Sequence, residues 1–127
     1  MTNRTHAEVM VALLFLLAAC GPAAQSEGEQ GGVYLVSMEI IQRESYPVQV
    51  ALVLQGSLPT PCHELRTDVA EPDEQGRIVV DVYSLFDRDE MCIQVLQAFE
   101  ETVELGSYTQ GTFTVWVNGE QVGEFDL

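Results

Sequence analysis

Asn118-Gly119 separates two runs that alternate apolar and polar side chains, Thr112–Val117 (TFTVWV) and residues 120–127 (EQVGEFDL). No other local feature commits the backbone so strongly. A two-residue turn of this kind takes positive φ at both positions, which asparagine and glycine supply, and its twist suits paired antiparallel strands. Phe113, Val115 and Val117 are expected to face a core, with Trp116 opposite. The same period of two runs through residues 46–55 (YPVQVALVLQ), where Val48, Val50, Leu52 and Leu54 share a face. It recurs over Arg77–Phe86, where Ile78, Val80, Val82, Ser84 and Phe86 do the same. Residues 33–41 (VYLVSMEII) form a further β-rich run and 62–69 (CHELRTDV) a weaker one. Residues 56–61 read as a stiff turn, 71–76 (EPDEQG) as an exposed hairpin loop and 87–90 (DRDE) as the next loop. The stretch 91–105 is ambiguous. Residues 94–101 (QVLQAFEE) have helical propensity whereas 102–105 alternate, so strands broken near Gln97 are expected, with room for a helical turn. About seven short strands over residues 33–127, at roughly ten-residue spacing, predict an all-β chain folded as an antiparallel β-sandwich.

Charge removes whole classes of partner. The chain has 20 Asp+Glu against 5 Lys+Arg, a net charge of −15, and all five cations are arginines scattered singly. A nucleic-acid partner needs a basic face, and adsorption to an anionic headgroup layer is equally disfavoured. Without lysine, Schiff-base and Ser-Lys chemistry are excluded. No Gly-x-Ser-x-Gly elbow and no glycine-rich phosphate loop is present. Paired carboxylates remain available for hydrolysis, but a small sandwich offers little room for a cleft. The expectation is a protein that is not an enzyme.

The N-terminus carries an address. Residues 9–19 (VMVALLFLLAA) are an apolar run behind a polar start with Arg4 and His6, the build of a signal-peptide core. It is too short for a membrane-spanning helix, which needs about 20 apolar residues. The run ends in Leu17-Ala18-Ala19-Cys20-Gly21, which resembles the lipobox of bacterial lipoproteins. The resemblance implies cleavage after Ala19 and makes Cys20 the diacylglyceryl acceptor, carrying acyl chains such as palmitate. Two or more chains anchor stably where one holds only marginally. The rival reading is ordinary secretion with cleavage after Ala24. Gly21 is not the aspartate that marks inner-membrane retention, so a cell with two membranes is expected to send the protein to the outer one. Residues 20–32, rich in Gly, Gln and Glu, read as a lipidated flexible tether. The organisation expected is signal peptide 1–19, tether 20–32 and sandwich 33–127.

The tail, residues 111–119, is similar to the final hairpin of bacterial immunoglobulin-like domains, whose recurring pattern begins Gly-x-Tyr-x-Val-x-Val. Phe113 stands at the tyrosine position, so the hydrogen bond of a tyrosine corner is expected to be missing. The body is also similar to small bacterial lipoproteins. The resemblance implies an immunoglobulin-like sandwich and no chemistry.

With Cys20 assigned to lipid, Cys62 and Cys92 remain as an even pair in an oxidising compartment, and a disulfide is expected. Two free thiols are the alternative. Cys62-His63 and Met91-Cys92 together form a soft donor set suited to Cu(I), although neighbours along a strand point to opposite faces. Two acidic loops, Glu71-Asp73-Glu74 and Asp87-Asp89-Glu90, are able to bind Ca²⁺ weakly if they meet at one end of the sandwich; their plainer reading is a solvated surface. The function expected is a monomeric, lipid-anchored, extracytoplasmic binding or interaction module without a cofactor. A soft-metal carrier using Cys62, His63, Met91 and Cys92 is the alternative, as is an inhibitor of secreted proteases built on residues 58–61.

Overall fold

The computed structural model describes residues 28–127; the expected signal peptide and Cys20 lie outside the described residues. Eight strands follow in chain order: β1 (Glu29–Gly31), β2 (Tyr34–Gln42), β3 (Val48–Leu58), β4 (Glu64–Val69), β5 (Arg77–Phe86), β6 (Gln97–Tyr108), β7 (Thr112–Val117) and β8 (Glu120–Asp126). One sheet runs β2-β3-β6, and the other is built on β5, which pairs β4, β7 and β1, with β8 beyond β7. The protein is therefore the all-β sandwich its alternation predicts, and β2 to β8 are the seven strands expected within 33–127.

Alternation and burial coincide. Val50, Leu52 and Leu54 of β3 face Ile78, Val80 and Val82 of β5, Val115 and Val117 of β7, and Phe125 of β8 in one apolar cluster. The 118–119 turn has φ of 49° at Asn118 and 87° at Gly119, as a tight hairpin requires. Two readings are corrected. Glu29–Gly31, assigned to the tether, is strand β1, held against Ser84–Phe86; with no large apolar side chain it has no periodic signature. No helical turn forms in 94–101, because Gln97–Tyr108 is paired with β3 along its whole length and the ladder overrides local propensity. Phe113 has no hydroxyl and makes no such corner bond; its ring leans on Tyr108, centroids 4.6 Å apart, and Tyr108 Oη donates within β6 to Leu105 O at 2.7 Å. Burial, with Glu71 nearby, raises the Tyr108 hydroxyl above its usual pKa.

Pairing is antiparallel everywhere except between β5 and β7. One edge of β5 is shared, with β7 covering Arg77–Val80 and β1 covering Ser84–Phe86. The gap at Val82 is filled by a side chain. Asn118 Oδ1 accepts from Val82 N at 2.8 Å and Asn118 Nδ2 donates to Val82 O at 3.0 Å, so one amide stands in for a strand residue. Buried Ser84 closes the same edge by donating to Gly32 O at 2.8 Å. Asn118→Gly keeps the turn's backbone but strips both partners from Val82. Leaving buried polar groups unpaired costs about 1–3 kcal/mol, so urea unfolding of this variant should fall by that amount; equal midpoints would remove the bridging role.

Candidate functional site

Three segments meet at one end of the sandwich because of how the strands are registered. Leu58, the last residue of β3, pairs with Gln97, the first of β6. Glu64 starts β4 opposite Leu85, and Glu29 starts β1 opposite Phe86. Residues 59–63 and 87–96 and the entry of the chain at Gly28 are thereby gathered around the end of β5. The Cys62–Cys92 disulfide, with Cα atoms 6.1 Å apart, clips the first two segments together.

Around the bridge the polar groups are engaged in holding loops. Thr60 Oγ1 and His63 Nδ1 share a hydrogen bond of 2.8 Å, and Cys62 N donates to the same hydroxyl at 3.2 Å. The His63 ring stacks on Phe86 at 4.6 Å. Arg88 donates to Glu29 Oε2 through Nε at 3.1 Å and Nη2 at 2.8 Å, tying the 87–90 loop to β1. Asp87 Oδ1 accepts from Asp89 N at 2.9 Å. A shallow hollow of about 270 Å³ lies here, bordered by Thr60, His63, Phe86, Asp87, Glu90 and Gln94.

The segment 91–96 has no regular structure and turns its apolar side chains outward: Met91 is 97% exposed, Ile93 68%, Leu96 64% and Val95 51%. Four large apolar groups within six residues, beside a bridge that fixes their position, form the most conspicuous surface feature among the described residues. By sequence this stretch falls within the ambiguous 91–105, where helical propensity over 94–101 competes with alternation over 102–105. Its second residue, Cys92, ties it back to Cys62 where the chain crosses from one sheet to the other.

The expected metal ligands are not assembled. The Cys62 and Cys92 sulfurs are bonded to each other, His63 is held by Thr60, and Met91 projects into solvent. Asp87, Asp89 and Glu90 sit on the adjoining loop, and among the described residues no three His, Cys, Asp or Glu side chains group as ion ligands. The two acidic loops do not meet. The loop at 71–76 precedes β5 and the loop at 87–90 follows it, so the length of that strand separates them. Asp73 is occupied in its own turn, accepting from Arg77 N at 3.0 Å and Gln75 N at 2.9 Å on Oδ1 and from Arg77 Nε at 2.8 Å on Oδ2. The backbone bond from Arg77 leads in holding its carboxyl below the usual carboxylate range.

The far end has a wider hollow of about 480 Å³ between β4 and β6, lined by Val69, Glu71, Pro72, Leu105 and Tyr108 among others. Glu104 at its border already takes a two-pronged bond from Arg43, 2.7 Å on each oxygen, which lowers its pKa. In the turn proposed for protease contact, Leu58 and Thr60 are buried, Pro59 is half-buried and Pro61 is exposed.

A family model described as ORF11 beta-sandwich domain matches residues 52–127, from the middle of β3 to the end of the chain. No curated protein and no solved structure gives a match.

Proposed function

We propose the following for this chain, which belongs to the ORF11 beta-sandwich domain family: it is a lipid-anchored, extracytoplasmic interaction module without catalytic chemistry. The observation that carries the reading is the exposed apolar segment 91–96, fixed in place by the Cys62–Cys92 bridge. Contiguous apolar surface on a soluble domain marks a contact site with another protein or a membrane. Support for the location comes from the lipobox at Leu17-Ala18-Ala19-Cys20 and from the disulfide, which suits an oxidising compartment. The hollows are shallow, and their polar side chains are largely committed to neighbouring loops, which favours contact over catalysis. Neither a copper carrier nor a protease inhibitor gains a comparable supporting contact.

Anchoring is tested by Cys20→Ser in a bacterium that processes lipoproteins. The variant should leave the membrane fraction or accumulate as precursor, while the parent protein gains the mass of its acyl chains at Cys20. Unchanged membrane retention of Cys20→Ser would falsify the anchor.

A further inference from the structure

We propose that the apolar tip 91–96 is seated in the headgroup–hydrocarbon boundary of the leaflet that holds the Cys20 acyl chains, giving the domain a second attachment to its own membrane. The inference rests on reading Cys20 as the lipidated residue.

Chain geometry brings the tip to the bilayer. Eight residue steps from Cys20 to Gly28 span at most about 28 Å, so the lipid lies within that reach of Gly28. The chain enters the domain at the tip's own end: Glu29 pairs with Phe86, and Gly28 borders the same hollow as Cys62, whose partner is Cys92 in the tip. The opposite end, with the β2–β3 connection, lies a further strand length away.

Chemistry selects the lipid as occupant. Met91, Ile93, Val95 and Leu96 offer apolar side chains with no ladder to join, the kind of surface that settles a few ångströms into an interface. The bridge and the start of β6 already fix the segment, so seating it orders little new chain. A second copy is a poor occupant, because each chain has a net charge of −15 and self-repulsion opposes the contact. Asp87, Asp89 and Glu90 flank the tip, so a zwitterionic leaflet is favoured and anionic lipid opposes seating.

The test uses the full-length protein, processed in bacteria and reconstituted into phosphatidylcholine vesicles. Val95→Trp and Ile93→Trp place a reporter in the tip, Tyr46→Trp places one on the exposed far end, and the parent's Trp116 supplies the baseline. Lipids brominated near the headgroup should quench most of the added emission at positions 95 and 93 and none at 46. Phosphatidylglycerol should reduce that quenching. Absence of quenching at both tip positions, in protein that bears lipid at Cys20 and floats with the vesicles, overturns the second attachment while the anchor stands; the tip is then left to water or a protein partner. Protein that neither bears lipid nor floats overturns both.

Discussion

Cys62→Ala combined with Cys92→Ala is expected to lower the unfolding free energy by about 3.6 kcal/mol, the chain-entropy value for a sequence separation of 30. For a domain of this size that moves the thermal midpoint down by about 15–25 °C. The bridge joins the approach to β4 to the crossover between β5 and β6, which passes from one sheet to the other. Reducing it therefore frees residues 87–96 as well as the unfolded chain. Thermal unfolding of the parent protein with and without reductant should reproduce the variant's shift. A change below about 1 kcal/mol would mean that the unfolded chain is already constrained without the bridge.

Leu52→Ala is the second large effect, expected to cost about 2–5 kcal/mol. Leu52 is fully buried at the centre of β3, flanked across the ladder by Ile40 and Val103. Its neighbours belong to two sheets held by continuous hydrogen bonding, so the vacated space is not easily closed. Val53→Ala, one residue along on the outer face, removes a smaller, half-buried group. Urea titration should give a lower midpoint for Leu52→Ala at unchanged slope, with a clearly smaller loss for Val53→Ala. Equal losses at the two positions would contradict the assignment of inner and outer faces.

Wherever a face is buried, the sequence is readable. β5 and β7 have the expected bounds, since Ile78-x-Val80-x-Val82 and Phe113-x-Val115-x-Val117 are positions that a strand can bury only on one side. Strand β1 was invisible for the opposite reason, because Glu29-Gln30-Gly31 is stabilised by backbone pairing and the Arg88 contact rather than by burial. Asn118 illustrates a different limit. Its role in the turn follows from the local sequence, but its bonds to Val82 depend on how β7 lies against β5. The pairing of Cys62 with Cys92 follows once Cys20 is set aside as lipidated. The exposure of Met91, Ile93, Val95 and Leu96 does not follow, since the local sequence leaves 91–105 divided between helical propensity and alternation and says nothing of which side faces water. The opposite placement of the two acidic loops follows only after the length of β5 is known.

The divided edge of β5 has a mechanical meaning. Any tension in the chain leading away from Gly28 is delivered to the sheet through the three residues of β1 and the Arg88–Glu29 contact. Should that strand detach, the break stops near Ser84, because the stretch from Arg77 to Val82 is held separately by β7 and the Asn118 amide. β1 thus behaves as a sacrificial link: a tug on the chain leading away from Gly28 can lengthen that segment by a few residues and leave the rest of the sandwich whole.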